Sequence, residues 1–139
     1  MTSKITADEA NAYLLANFEG VGTRSHVEIM EDSRTVMSLE AKAEHLRPGG
    51  YISGPTQMAI ADSAAYMAVM TKLGIVPMAV TSNLSINFLR PCIGEAVVAD
   101  ARLMRLGKAL AVIEVDIRAR GSDKQSSHAV VTYAIPRED

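Results

Sequence analysis

The stretch PTQMAIADSAAYMAVMTKL at residues 55–73 decides how the rest of the chain must fold. Pro55 suits the first helical position, where the missing N–H costs nothing, and Gly74 is a natural C-cap. Between Pro55 and Thr71 the only charged side chain is Asp62, and small or apolar residues occupy nearly every face. A helix apolar all round in a soluble protein is a buried helix. At 1.5 Å per residue this rod is roughly 30 Å long.

Everything after it reads as strand. Val80, Ser82, Leu84, Ile86 and Phe88 alternate with Thr81, Asn83, Ser85 and Asn87, and the run stops at Arg90-Pro91. Val97, Ala99, Ala101 and Leu103 alternate with Asp100 and Arg102. Beyond the Gly107-Lys108 turn, Ile113, Val115 and Ile117 oppose Glu114, Asp116 and Arg118. After a turn at 121–124, Ala129, Val131, Tyr133 and Ile135 form a last strand that Pro136 ends. A period of two marks half-buried strands.

On the other side of the rod, His45 to Gly54 is rich in turn formers and reads as a loop. Before it, Val27 and Ile29 alternate with His26 and Glu28, and Met37, Leu39, Ala41 and Ala43 with Ser38, Glu40, Lys42 and Glu44; the turn at 31–34 makes them a hairpin. Thr6-Ala-Asp-Glu9 has capping-box spacing and predicts a short helix over 7–19, with Ala10, Tyr13, Leu14 and Phe18 on one face and Gly20 and Gly22 ending it. The class is α+β: one long helix against the concave face of a mostly antiparallel sheet. One sheet wraps only about half of a helix, so the remaining surface is expected to meet a second copy in an isologous homodimer.

Composition narrows the function. The 139 residues (14.9 kDa) fit one domain over 1–139, with 48% apolar and 22% charged residues. A net charge of -2 and no basic block argue against nucleic acid. No apolar run reaches a membrane span, no signal core opens the chain, and the lone Cys92 fits a reducing compartment, so a cytoplasmic protein is expected.

Asp62 is the outstanding position. An ionised carboxylate in an apolar helix costs several kcal/mol unless paired or hydrogen-bonded. It is therefore a structural carboxylate holding backbone or a partner subunit, or a catalytic one. Ser53-Gly54-Pro55 is the second feature: amides at a helix N-terminus are free, and Gly54 permits close approach, so its N–H can donate to a developing oxyanion. The same tripeptide is also simply a common way to begin a helix. Of three histidines, His26 and His128 read as solvent-facing, and His45, in the loop before the helix, is the candidate. No histidine pair has metal-ligand spacing, so no metal is expected. Cys92 reads as a small buried thiol. Met58, Met67 and Met70 read as core, or as the walls of an acyl pocket. With 4% aromatic residues, no aromatic box is expected.

Gly49-Gly50, then Gly54-Pro-Thr-Gln-Met-Ala-Ile-Ala-Asp62, then Ala79-Val-Thr-Ser-Asn-Leu-Ser-Ile-Asn-Phe-Leu-Arg-Pro91, resemble the hotdog-fold acyl-CoA thioesterases, of the phenylacetate-degradation (PaaI-like) type. The resemblance covers residues 25–135. It implies a hotdog fold, homodimers that often pair into homotetramers, and sites at the dimer interface with the acid from one chain and the loop from the other. It implies Asp62 as general base or nucleophile, and Gly54 as the residue whose amide polarises the carbonyl. Ser53, Thr81, Ser82 and Asn83 fall at its substrate-binding positions, and Arg90 and Lys108 where the phosphates of coenzyme A are met. No cofactor is implied beyond coenzyme A as part of the substrate. The chain departs from the pattern where many members read His-Gly-Gly (here Ser53-Gly54-Pro55) and Asn-Gly (here Arg47-Pro48), which leaves His45 as the substitute. The expected function is hydrolysis of an acyl or aroyl thioester. A non-catalytic acyl-CoA binder is the alternative, and an enoyl-thioester hydratase ranks last because no Asp-x4-His spacing surrounds Asp62.

Overall fold

The computed structural model describes residues 2–18 and 25–136. In chain order the elements are α1 (Ala7–Asn17), β1 (His26–Glu31), β2 (Arg34–Glu40), a single 3-10 turn (Ala43–His45), β3 (Leu46–Arg47), β4 (Tyr51–Ile52), α2 (Gly54–Leu73), β5 (Val80–Phe88), β6 (Ala96–Leu106), β7 (Leu110–Ala119) and β8 (Ser127–Ala134). Six strands form one antiparallel sheet in the order β1-β2-β6-β7-β8-β5, and β3 and β4 form a two-stranded ladder of their own. The long helix against an antiparallel sheet is the expected α+β architecture, and it is the hotdog arrangement. Among the described residues no helix is long and apolar enough to cross a membrane.

Several boundaries differ from the sequence reading. The second strand ends at Glu40, and Ala43 turns into the 3-10 segment instead of extending the alternation. The stretch before α2 is not all loop: Gly49 and Gly50, with φ of 99° and 77°, close the tight turn between β3 and β4. Gly20 and Gly22, expected to end α1, lie outside the described residues; α1 itself carries the capping box, with Thr6 and Glu9 exchanging backbone donors at 3.0 and 3.1 Å.

α2 is built from small residues for close approach. Ala61, Ala64, Ala65 and Ala68 are fully buried, as are Ala99, Ala101, Ala111 and Ala129 on the sheet face. Larger side chains fill the gaps between them: Met37, Met67, Met70, Ile113, Ile117 and Val131. The Thr35 hydroxyl donates to the Ala64 carbonyl at 2.8 Å, one of the fixed points between helix and sheet. The rod is not buried on every side, however. From Ala64 to Thr71 it is wholly enclosed, whereas Pro55, Met58 and Ala59 are exposed and Asp62 and Ser63 are half-buried. Met58 is thus surface, not core. The exposed flank is the one that one sheet cannot reach.

Candidate active site

Asp62 sits on that half-open flank, two turns along α2. It is not sealed in apolar surroundings as the sequence suggested. Its Oδ1 accepts hydrogen bonds from the Thr81 hydroxyl at 2.6 Å and the Tyr133 hydroxyl at 2.8 Å. Tyr133 Oη also lies 3.1 Å from the Asp62 carbonyl oxygen. Among the described residues no hydrogen bond engages Oδ2 and no cation forms an ion pair with Asp62.

The two hydroxyls converge because of a bulge. In the β5–β8 ladder Thr81 pairs with Tyr133, and the next pair is Asn83 with Thr132, so Ser82 is an extra residue. Past the bulge, Leu84, Ile86 and Phe88 pair with the inward-facing Val131, Ala129 and Ser127. Strict alternation would put Thr81 outward with Asn83 and Ser85. The inserted residue reverses that, since a shift of one residue changes the face of every side chain beyond it.

Tyr133 is 4% exposed and stacks on Tyr66, with ring centroids 5.6 Å apart and planes 3° from parallel. The Tyr66 hydroxyl shares a hydrogen bond with that of Tyr13 at 3.0 Å and donates to the Val76 carbonyl at 2.9 Å. Burial first, and then the Asp62 charge, push the Tyr133 phenol far above its ordinary range, against a downward pull from the Thr81 hydroxyl. Burial and the Tyr13 contact raise Tyr66 likewise. Both remain protonated donors.

Beside Asp62 opens a cleft of about 490 Å³, walled by Leu14 of α1, Phe18 at the C-cap of that helix, Leu39 of β2, Ile60 of α2, Tyr66 and Tyr133. Its lining is mainly apolar. Although aromatics are few, Tyr13, Phe18, Tyr66 and Tyr133 pack into one edge-to-face and stacked cluster, of which Phe18, Tyr66 and Tyr133 line this cleft. His45 lines the same cleft, its Nδ1 accepting from the Lys42 amide at 2.9 Å.

At the far end of the same cleft, which Pro55 and Thr56 line, stand the helix-start features. Ser53 is the N-cap of α2; its hydroxyl accepts from the Thr56 amide at 3.3 Å and pairs with the Thr56 hydroxyl at 2.7 Å, so it is spent on capping. Gly54 opens the helix against Phe88, and a Cβ there would stand 3.2 Å from that ring. Eight residues of helix separate Gly54 from Asp62, about 12 Å of rise. Within one chain the amide and the carboxylate therefore do not meet on one carbonyl.

Ser82 and Asn83 are exposed on β5, at the Asp62 end of that strand. The Lys108 turn lies beyond the same end of the sheet, where Leu110 pairs with Ala134 and Ala134 with Val80. Arg90 is at the opposite end, its guanidinium donating to the Gln125 carbonyl. Cys92 is buried, which raises its thiol. His26 is exposed, and His128 is half-exposed, 3.2 Å from Glu114. Tyr133 was invisible as a site residue in the sequence, where it read only as an inward strand position. A hydroxyl at the inward end of that alternation, which needs a buried partner, was the available signal.

Comparison with known proteins adds an independent finding. A family model described as the thioesterase superfamily matches residues 49–125, the span from the β3–β4 turn to the loop before β8. A crystal structure of a proposed thioesterase from Silicibacter sp. TM1040 is 33% identical, covers 99% of this chain and 96% of its own, and superposes with a TM-score of 0.90. Two archaeal proteins, each described as a proposed esterase, are also similar. That of Thermoplasma acidophilum is 29% identical over 80% of this chain and 83% of its own length. That of Saccharolobus solfataricus is 28% identical over 64% of this chain, and the match spans 63% of that protein's length.

Proposed function

The chain belongs to the thioesterase superfamily, and on that premise we propose that it hydrolyses an acyl-CoA thioester to free acid and coenzyme A, with Asp62 as the reacting carboxylate. One observation carries this reading: a carboxylate at the edge of an apolar cleft, held by two hydroxyls on Oδ1 and left unengaged on Oδ2. Oδ2 either takes a proton from water, which then adds to the thioester carbonyl, or adds to that carbonyl itself. Both routes place negative charge on the carbonyl oxygen. In the first route the C–S bond breaks and the proton taken up by Oδ2 passes to the departing thiolate. In the second the thiolate leaves an anhydride between Asp62 and the acyl group. Water hydrolyses that anhydride to the free acid and the regenerated carboxylate, and the proton released from that water goes to the thiolate. No metal or redox cofactor is called for.

The oxygen needs a donor, and the Gly54 amide suits that role because a helix N-terminal N–H is fixed before reaction. At about 12 Å of helix rise from Asp62, it must come from a second copy. Strand β5 supplies the means. Among the described residues it is an edge strand with an unpaired outer side, it has no charged residue from Val80 to Phe88, and both of those end residues are more than half exposed. Antiparallel pairing of two such edges about Leu84 sets Thr81 of one protomer near Phe88 of the other. That carries the partner's Gly54 toward Asp62, and the partner's Arg90 to the end where Lys108 lies. Two exposed cations then flank the mouth of the site, where the phosphates of coenzyme A would be met. The active form is accordingly a homodimer, able to pair further into a tetramer, with Ser82 and Asn83 along the seam and His45 on the cleft wall.

The engaged hydroxyl of Ser53 favours a second reading, since that position then offers no side-chain donor to the carbonyl. On this reading the protein binds acyl-CoA in the same cleft without turnover. Thiol release from acyl-CoAs of short, medium, long and aromatic acyl groups separates the two. Asp62→Asn is expected to reduce kcat by at least ~10²-fold, the lower range for a general base. Equal turnover in both proteins would overturn the role of Asp62. Binding without release from any substrate would establish the binding protein.

A further inference from the structure

We infer that Tyr133 is a positioning residue: together with Thr81 it clamps Oδ1 of Asp62, so that Oδ2 alone is presented to the thioester carbonyl. The inference rests on the thioesterase reading given above and concerns how its carboxylate is held.

A carboxyl group on an aspartate turns freely about its last bond, and its two oxygens are interchangeable. Two donors on the same oxygen remove that freedom. They come from separate strands, β5 and β8, paired across the ladder at the position where the bulge turns Thr81 inward. Both donors are neutral. An arginine or lysine in either place would orient the carboxylate too, but would also neutralise it in an ion pair; hydroxyls orient it and leave its charge. Tyr133 is itself immobilised. It is buried, its ring lies flat against Tyr66, and Tyr66 is anchored at its hydroxyl by Tyr13 and the Val76 carbonyl. A tyrosine required only for packing would need no more than one acceptor for its hydroxyl, and the Asp62 carbonyl oxygen at 3.1 Å would serve. Its shorter contact is to the carboxylate instead.

The test uses Tyr133→Phe, which keeps the ring and its stack, together with Thr81→Val and Thr81→Ser. Loss of a hydrogen bond to a charged group predicts a fall in kcat of about tenfold or more for Tyr133→Phe and for Thr81→Val, with KM within about threefold and with Thr81→Ser restoring most of the rate. A Tyr133→Phe protein with native kcat and a lowered melting temperature would overturn the inference, because the tyrosine would then serve packing alone. So would a Thr81→Ser protein as slow as Thr81→Val. The Asp62 side-chain carboxyl 13C resonance, assigned by its loss in Asp62→Asn, gives a readout that does not need turnover. It is expected to shift in Tyr133→Phe and Thr81→Val and to return in Thr81→Ser; an unmoved resonance overturns the clamp. If the native protein releases no thiol from any acyl-CoA, the thioesterase reading fails, and the resonance alone then decides whether the clamp exists.

Discussion

At position 57 a glutamine lies buried between α2 and the sheet, its Nε2 donating to the Ile52 carbonyl at 3.1 Å and its Oε1 accepting from the Ser127 hydroxyl at 2.7 Å. One side chain thereby fixes the first turn of α2 to both β4 and β8, and with it the direction of the Gly54 amide. Gln57→Ala leaves two buried polar groups without partners, and is expected to lower stability by about 1–3 kcal/mol in a denaturant titration. The same scale shows what residue types do and do not reveal. Asp62 stood out as the lone charge of an apolar run, and the glycine at the helix start stood out by its neighbours. Tyr133 did not, because alternation tells which way a side chain points but not what its hydroxyl meets 71 residues away. Thr81 was matched to the site by resemblance, while the alternation set it with the outward-facing asparagines. Only the extra residue at Ser82 brings it in, and a bulge leaves no mark in a run of Thr, Ser and Asn.

Among the elements, α1 was legible by its capping box and its apolar spacing, but its purpose was not. It is tied to β1 by Asn11, whose side chain both accepts from and donates to the Val27 backbone, at 2.8 and 3.0 Å. Tyr13 ties it to Tyr66 on α2. Held in this way, α1 lays Leu14 and Phe18 along the cleft beside Asp62. The helix is therefore part of the proposed acyl pocket rather than an appendage. Phe18→Ala is expected to lower kcat/KM for bulky acyl-CoAs by about tenfold, the cost of one aromatic contact, while short acyl-CoAs are little changed. A substrate panel run on both proteins measures this directly. For α2, the period-free apolar run correctly marked a core helix. It overstated the enclosure, because a helix composed of alanine and methionine looks the same whether its last flank meets a sheet or a second molecule.

The whole sheet ends in two edges, and they are guarded unequally. The β1 edge carries His26, Glu28 and Glu31 and is broken by a bulge between Val27 and Ile29, both devices that deter pairing. The β5 edge has neither charge nor Pro over nine residues. Such an edge is built to be covered. If the proposed dimer forms through this edge, Ser85→Lys, at its exposed middle, is expected to yield a monomer in sedimentation and to abolish thiol release with it, since each proposed site draws an amide from the other protomer. A monomer that kept full turnover would show that the site needs one chain only. The element order and the sheet's antiparallel character could be read from periodicity and turn residues because each is written locally; the clustering of the aromatics could not, for it depends on how α1, α2 and β8 come together. That clustering also bears on optical spectroscopy. The chain has no tryptophan and four tyrosines, of which Tyr13, Tyr66 and Tyr133 adjoin within one cluster. Two members of that cluster, Tyr66 and Tyr133, line the cleft, so the unlabelled protein carries its own near-ultraviolet chromophores for whatever enters there.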